Sequence, residues 1–245
     1  ILYARDELHV PGDQLYAFAG DTFFGRFMSR ALSRPDFRRR LEDKLLELRK
    51  HGHLLVNLEG VLVPNMPLYP RHLQLVMPSE LSLEMLAKAG VIAVSLANNH
   101  TNDSGAAAKA AMREALVASG VVSIDQGEIH DFGPFQLVAF SDLDNNRFPT
   151  VKILDSEMIA AALAGRDPKK PLFAFLHWGR EYSAAPRERE NALRDFMVAH
   201  GVELIIGAHP HCLGGLESGK DHVTAFSLGN FLFDQAKPHT DGGLL

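Results

Sequence analysis

The sequence predicts an α/β protein in which a largely parallel β-sheet carries helices on its faces. Three features predict this class: short apolar runs alternate with amphipathic segments, a glycine follows each amphipathic segment, and polar residues follow many of the apolar runs. Parallel strands joined by right-handed crossovers end at the same edge of a sheet. We therefore expect the polar residues to meet at that edge, where open α/β sheets bind their ligands.

The strands are predicted from seven apolar runs. Runs rich in Val, Ile, Leu and Phe, without polar alternation, are typical of strands buried on both faces. The seven runs are Leu15–Ala19, Leu54–Val56, Val91–Leu96, Phe135–Phe140, Leu172–Leu176, Leu204–Ile206 and Val223–Phe226. Their spacing leaves room for a helix between most neighbours, as parallel pairing requires.

The helices are predicted from four segments that are polar on one side and rich in Leu, Met or Ala on the other. These segments are Pro35–Lys50, Ser79–Ala89, Ala106–Ser119 and Pro186–His200. Each is followed by a glycine, which adopts the left-handed conformation after a helix at little cost: Gly52, Gly90, Gly120 and Gly201. No linker, low-complexity tract or repeat divides the chain, so residues 1–245 are predicted as a single domain, with a small insertion within 145–170.

Composition narrows the class of protein further. With 46% hydrophobic and 22% charged residues over 245 positions, the chain is typical of a folded protein. A formal net charge of −5 argues against nucleic acid as a partner. The single cysteine, Cys212, excludes an internal disulfide and a cysteine-rich zinc site. No apolar run is long enough to span a bilayer. Because the chain begins at Ile1, a leader or membrane anchor could precede it. The sequence therefore leaves open whether the protein is soluble, extracytoplasmic or membrane-associated.

Carboxylate, amide and imidazole side chains follow five of the predicted strands. Each has an ordinary explanation when taken alone, such as a helix cap for Asp21, a solvated loop for Glu59 or a core histidine for His177. Taken together, these explanations require six coincidences at one edge of the sheet. The sequence therefore favours a metal site, with the candidate ligands Asp21, Glu59, Asn99, His177, His209 and His211.

The types of donor indicate the metal and its chemistry. Imidazole, carboxylate and amide oxygen without thiolate suit Mn, Zn or Fe. Two such ions about 3.5 to 4 Å apart, bridged by a carboxylate, form a clamp for in-line displacement at phosphorus, with a hydroxide between them as nucleophile. His100 is the candidate for protonating the leaving alkoxide or stabilising the phosphoryl charge, with Asp103 as its partner. The alternative is that Asp103 pins His100 for structural reasons.

Six short motifs occur in order along the chain. They are Gly20-Asp21, Asn57-Leu58-Glu59, Ala97-Asn98-Asn99-His100 with Asp103 and Gly105, His177-Trp178-Gly179 with Glu181, Gly207 with His209-Pro210-His211, and Ser227-Leu228-Gly229-Asn230-Phe231. From about Tyr16 to its end, the chain resembles the CapA family, also called PgsA or the poly-γ-glutamate capsule biosynthesis proteins. That family belongs to the calcineurin-like metallophosphoesterase superfamily.

The resemblance implies a four-layer αββα sandwich of two mixed β-sheets, with a dinuclear metal site at the strand ends. It also implies that Glu59 is the bridging carboxylate and that Asn99 is a ligand beside the catalytic His100. Two departures from the superfamily pattern stand out. Phe23 occupies a position where a histidine is usual, and Asn57-Leu58-Glu59 replaces an aspartate motif. One of the two metals is therefore expected to be weakly held.

The function implied by the resemblance is that of a metal-dependent phosphoesterase, a hydrolase of capsule or poly-γ-glutamate biosynthesis. Its substrate would be a small phosphoester or an anionic polymer. A second hypothesis is a non-catalytic scaffold that grips an anionic polymer or a membrane synthase. A third is a nucleotidase or nuclease with the same two-metal chemistry. Arg38, Arg39 and Arg40 form a basic run that either contacts a polyanion or is a solvated helix face.

Overall fold

The computed structural model of the chain describes residues 15–67, 74–144, 153–235, 237–240 and 243. Within these ranges the strands are β1 Tyr16–Thr22, β2 His53–Leu58, β3 Val61–Val63, β4 Val76–Pro78, β5 Val91–Ser95, β6 Val122–Ile124, β7 Ile129–Asp131, β8 Gln136–Ser141, β9 Leu172–His177, β10 Val202–Ala208, β11 Leu216–Ser218, β12 Val223–Ala225 and β13 Asn230–Leu232. The helices are α1 Arg26–Leu32, α2 Pro35–Arg49, α3 Ser79–Ala89, α4 Ala106–Ala118, α5 Ser156–Leu163 and α6 Glu188–Ala199.

The strands form two main sheets. The first has the order β13-β1-β2-β5-β6, and the second has the order β11-β12-β10-β9-β8-β7. The second sheet is mixed, because β7 and β11 are joined to their neighbours by short connections that permit antiparallel pairing. The first sheet is parallel in each of its strand pairings, because helices lie between its successive strands. In this respect it differs from the mixed sheet implied by the family resemblance.

Helices cover the outer faces of both sheets. The first sheet packs against α1 to α4 through residues such as Val56, Met85 and Leu116. The second sheet packs against α5 and α6, and a third apolar cluster fills the space between the two sheets. Strand β9 shows how one strand serves two cores: Leu172, Ala174 and Leu176 face the helices, whereas Phe173 and Phe175 face the other sheet. The predicted four-layer αββα sandwich is confirmed.

Several predicted elements lie where the sequence placed them. Helix α3 has the predicted bounds, and the four glycines after the predicted helices all adopt positive φ. The last predicted helix begins two residues late, at Glu188, because the backbone N–H of Arg187 donates to the Glu190 carboxylate in a capping arrangement. Helix α5 lies within the segment expected to hold an insertion, of which residues 145–152 fall outside the described part of the chain.

Among the residues that the structure describes, no helix combines the length and the apolar character needed to cross a bilayer.

Candidate metal centre

The six candidate ligands lie together where strands of both sheets end. Asp21 belongs to β1, and Glu59 directly follows β2. The second sheet contributes His177 from the end of β9, and the loop after β10 contributes His209 and His211. The turn after β5 contributes Asn99, whose Oδ1 atom lies 2.9 Å from His177 Nε2. The predicted convergence of side chains far apart in sequence is thus present in the fold.

The donors form two overlapping groups that share Glu59. One group is Glu59, His177 and His209, and the other is Asp21, Glu59 and His211; within each group the donor atoms lie within 4.8 Å of one another. We call the first, with Asn99 added, the asparagine position, and the second the aspartate position. Glu59 Oε1 lies 3.8 Å from His177 Nε2, and Glu59 Oε2 lies 3.8 Å from His211 Nε2. Each carboxylate oxygen therefore faces a different position.

Burial and unsatisfied polar atoms indicate that this cluster fits a cation. Glu59 and His177 are each 1% exposed, and Asp21 is fully buried. Glu59 Oε2 and His209 Nδ1 are buried without a hydrogen-bond partner in the described structure. Leaving such an atom unsatisfied costs about 1 to 3 kcal/mol. A divalent cation at the aspartate position would satisfy Glu59 Oε2, and the donor set of carboxylates, imidazoles and an amide oxygen suits Mn, Zn or Fe.

Burial and neighbouring charges shift the pKa values of the clustered groups in opposite directions, so these groups differ in protonation. Burial raises the pKa of Glu59 to about 7, with Asp21 adding to the rise and His211 opposing it. Burial disfavours a charged His211, but the carboxylates of Glu59 and Asp21 raise its pKa to about 10. Burial and the charge of His211 lower the pKa of His209 to about 4. Burial also lowers the pKa of His177 well below its usual value. The aspartate position is therefore the one that retains protons at neutral pH.

The two positions differ in their number of protein donors. The asparagine position has four donor side chains, whereas the aspartate position has three. Phe23 is fully buried, and its ring lies 5.3 Å from that of Phe233, which in turn lies 4.7 Å from the His211 ring. The residue two positions after Asp21 is thus an apolar ring that packs on Phe233 and supplies no donor to the aspartate position.

Asn57, which the sequence presents only as part of the Asn57-Leu58-Glu59 motif, contacts two of the candidate ligands. Its side chain is fully buried at the end of β2, where Nδ2 donates to Asp21 Oδ1 at 2.7 Å and lies 3.1 Å from His177 Nδ1. Asn98 donates to the Leu58 carbonyl and to Asn57 Oδ1, which fixes the orientation of the Asn57 amide. The sequence carried one signal for this role: Asn57 lies two residues before Glu59, and residues two apart on a strand share one face.

His100 and Asp103 form a pair at the edge of the cluster. His100 Nδ1 lies 2.8 Å from Asp103 Oδ2, and His100 Nε2 lies 4.0 Å from Glu59 Oε1. Asp103 Oδ2 also accepts the backbone N–H of Leu75 at 2.7 Å. Burial opposes a charged His100, but the hydrogen bond to Asp103 and the charge of Glu59 raise its pKa above the ordinary value. The pair can hold a proton close to the donor cluster.

Unusual backbone geometry holds two of the histidines in place. His209 and His211 adopt φ of 96° and 57°, a left-handed conformation that costs about 1 to 3 kcal/mol per non-glycine residue and concentrates at functional sites. The His209 N–H donates to both oxygens of Asp21, at 3.1 and 3.3 Å. Asn230 Oδ1 lies 2.9 Å from His211 Nδ1, while Asn230 Nδ2 donates to the Thr240 carbonyl. These contacts direct His211 Nε2 toward Glu59.

Three other charged residues near the motifs do not belong to the donor groups. Arg187 pairs with Glu190, and Arg189 pairs with Asp142, so both guanidinium groups are engaged within the fold. Glu181 is exposed and belongs to neither donor group, although its negative charge adds to the rise in the pKa of Glu59.

Comparison with known sequences identifies relatives of the chain. The profile of the bacterial capsule synthesis protein PGA_cap family matches residues 16–128 and 141–235. The capsule biosynthesis protein CapA of Bacillus anthracis is 28% identical over 191 residues, which are 68% of this chain and 46% of that protein. The PGA biosynthesis protein CapA of Bacillus subtilis (strain 168) is 42% identical over 64 residues, which are 26% of this chain and 17% of that protein. The chain thus spans less than half the length of either relative.

Comparison with solved structures shows a shared fold at low sequence identity. A protein from Thermus thermophilus, described as hypothetical, is 15% identical, with a TM-score of 0.53 over 87% of this chain and 75% of that one. A protein described as a novel phosphatase from Mycoplasma pneumoniae is 14% identical, with a TM-score of 0.55 over 89% of this chain and 72% of that one.

Proposed function

The chain belongs to the PGA_cap family of bacterial capsule synthesis proteins, and from this membership and the geometry of its site we propose that it is a metal-dependent phosphoesterase of capsule or poly-γ-glutamate biosynthesis. The observation that carries the proposal is the sharing of Glu59 by two groups of buried donors, each suited to one divalent cation. Its substrate would be a small phosphoester or a phosphate group attached to an anionic polymer.

The site residues would hold two cations between them. Asp21, Glu59 and His211 would hold one cation, and Glu59, Asn99, His177 and His209 would hold the other. Bound divalent cations lower the pKa of water and offset the negative charge that builds up on a reacting phosphoryl group. The strained His209 and His211 backbones and the Asn57 amide would keep the donors in place, so that little reorganisation is needed when substrate binds.

His100 would supply the proton that the leaving group needs. Burial opposes a charged ring, but the hydrogen bond to Asp103 and the charge of Glu59 raise the pKa of His100, which favours the protonated form, and Asp103 orients the ring by accepting from Nδ1. A leaving alkoxide placed beside Nε2 would receive this proton as the ester bond breaks, a contribution of about 10² to 10⁴ in rate for general acids. The Asp103 contact with the Leu75 backbone fixes the pair relative to β4.

The direct test is hydrolysis of p-nitrophenyl phosphate and bis-p-nitrophenyl phosphate by protein loaded with Mn, Zn or Fe. We expect turnover of at least one ester, and His209→Ala should remove it because the asparagine position loses a donor. His51→Ala is the matched control: His51 is exposed at the opposite end of β2 from Glu59 and should leave turnover intact. Turnover that survives His209→Ala would contradict the assignment of the site.

Phe23 supports a second candidate function, that of a non-catalytic scaffold. With a buried apolar side chain at position 23 in place of a further donor, the chain would retain one cation and grip an anionic polymer or a membrane synthase without hydrolysing it. Polymer binding with one bound metal and no ester turnover under any of the three metals would support the scaffold and exclude the phosphoesterase.

We also propose that the chain acts as a single domain. The site draws donors from both sheets, so separating the sheets would destroy both positions. A single unfolding transition, detected at the same denaturant concentration by fluorescence and by circular dichroism, is expected. Two separate transitions would contradict this organisation.

A further inference from the structure

Positively charged side chains near the metal centre are candidates for contacting the negative charge of a phosphoester. Several arginines around the site and in α2 are already paired with carboxylates of the fold, in the pairs Arg26–Asp234, Arg38–Glu42, Arg39–Asp36, Arg187–Glu190 and Arg189–Asp142. Lys237 differs from them, because its side chain is exposed and forms no ion pair with a described residue. Its positive charge is therefore available to a ligand.

The ammonium group of Lys237 lies against an aromatic ring beside the aspartate position. Lys237 Nζ is 3.9 Å from the centroid of the Tyr182 ring. The Tyr182 ring in turn lies 6.3 Å from the ring of His211, centroid to centroid, and is tilted by 30° to it. One aromatic ring thus separates this free cation from a candidate metal ligand.

Tyr182 is held in place by contacts with the loop that carries the ligands. Its φ of 63° is strained for a residue with a side chain, a feature that concentrates at functional sites. Its backbone N–H donates to the carbonyl of Pro210, between His209 and His211, at 2.8 Å. Gln235 Nε2 donates to its hydroxyl at 3.3 Å. The ring, which is 37% exposed, is therefore a fixed support at the rim of the site.

The backbone of Lys237 is connected to His211 by a separate route. The Lys237 carbonyl accepts the backbone N–H and the hydroxyl of Thr240, at 3.2 and 2.8 Å. The Thr240 carbonyl accepts Asn230 Nδ2, and Asn230 Oδ1 lies 2.9 Å from His211 Nδ1. The start of the lysine side chain is thus fixed relative to the centre, whereas its flexible four-carbon stem lets the ammonium move toward a bound ligand.

We propose that Lys237, positioned by Tyr182, binds the additional charged oxygen of a phosphomonoester and makes the centre selective for phosphomonoesters over phosphodiesters. The proposal rests on the phosphoesterase function proposed above and names its class of substrate. A monoester carries two negative charges, whereas a diester carries one because an ester group replaces a charged oxygen. A hydrogen bond from an ammonium is about twice as strong to a charged acceptor as a bond between neutral groups. The unpaired ammonium therefore favours the monoester.

The test is calorimetric binding of two ligands without an ester bond to Mn-loaded protein, so that its readout does not depend on turnover. Phenylphosphonate carries two negative charges at mildly alkaline pH, and methylphenylphosphinate has a methyl group in place of one charged oxygen. The wild-type protein should prefer phenylphosphonate. Lys237→Gln should weaken phenylphosphonate binding about tenfold, the loss of one charge-assisted hydrogen bond, and leave phosphinate binding little changed.

The matched control is Lys220→Gln, which also removes one exposed lysine charge. Lys220 lies in the turn before β12, at the end of the second sheet opposite the metal centre, because β12 runs parallel to β10. This variant should keep the wild-type preference. The role of Tyr182 is tested with two further variants: Tyr182→Phe keeps the ring and should keep the preference, whereas Tyr182→Leu should reduce it.

The proposal would be overturned by equal wild-type affinity for the two ligands, by binding of neither, or by a preference that survives Lys237→Gln. An equal loss of preference in Lys220→Gln would also overturn it. Hydrolysis of the two p-nitrophenyl esters is measured separately. A Lys237-dependent preference without ester turnover supports the role of Lys237 and excludes the phosphoesterase. Ester turnover without such a preference supports the phosphoesterase and excludes this role of Lys237.

Discussion

The two candidate metal positions share Glu59 yet differ in their remaining donors and in their surroundings. The asparagine position combines Asn99, His177 and His209, and burial keeps both of its imidazoles neutral. The aspartate position has only Asp21 and His211 besides Glu59, and its histidine is charged near neutral pH because two carboxylates face it. Similar chemical groups therefore form one position ready for a cation and one that must first release protons.

The number of donors alone does not determine how tightly a site binds a metal cation. At the asparagine position, burial lowers the pKa of both histidines, so little free energy is spent on deprotonation when a cation binds. At the aspartate position, the same carboxylates that would hold the cation also stabilise the proton on His211. We therefore expect the two positions to bind cations with unequal affinity, the asparagine position more tightly than the aspartate position.

The largest effect is expected from Glu59→Gln, because this substitution removes the charge shared by both positions. Affinity for Mn should fall at both positions by at least about 100-fold, a loss at the upper end of that measured for residues that merely support a ligand. Isothermal titration calorimetry on chelator-treated protein would measure it. Glu181→Gln, which makes the same change at an exposed site nearby, serves as the control. If one position kept its affinity, Glu59 would not be shared.

An intermediate effect is expected from pH. Both positions should weaken as the pH falls through about 7, where Glu59 gains a proton. Above that pH, only the aspartate position should continue to gain affinity as the pH rises toward about 10, because His211 still has to lose its proton there. Mn titrations over a pH series, with proton release measured in parallel, would test this. Parallel pH profiles for the two binding events would refute the assigned difference.

The smallest effect is expected from Asn230→Leu. Asn230 holds His211 Nδ1 and so directs Nε2 toward Glu59. Losing this contact should weaken the aspartate position about tenfold and leave the asparagine position unchanged. Asn230→Asp, which keeps an oxygen acceptor, should restore much of the affinity. Calorimetric titration with Mn separates the two events, and an equal loss at both positions would show that Asn230 supports the fold rather than one ligand.

Much of the fold follows from the sequence because its main elements carry strong local signals. The apolar runs and the glycines at positive φ placed the long strands and the ends of the helices, as at Gly90 after α3. Strands of three residues, such as β3 and β13, are too short for an apolar pattern to emerge and are set by tertiary pairing. Helix α1 was missed because its apolar face is short and its exposed side is interrupted by Phe27.

The residues of the site likewise include some that local sequence patterns could identify and others that they could not. Residues directly after strands, such as Glu59 and His177, could be proposed because the ends of parallel strands share one edge of a sheet. Asn57 and Asn230 could not be assigned roles, since their importance lies in contacts with Asp21, His177 and His211 across the fold. The protonation difference between the two positions also depends on burial and on distances that no local pattern encodes.

The most direct test of the shared-carboxylate centre is crystallographic. Crystals of the protein soaked in Mn, with diffraction data recorded for anomalous scattering, should show two peaks within the cluster, one on each side of Glu59. The peak beside Asn99, His177 and His209 should have the higher occupancy. The absence of any peak among these side chains, or a single peak away from Glu59, would contradict the account.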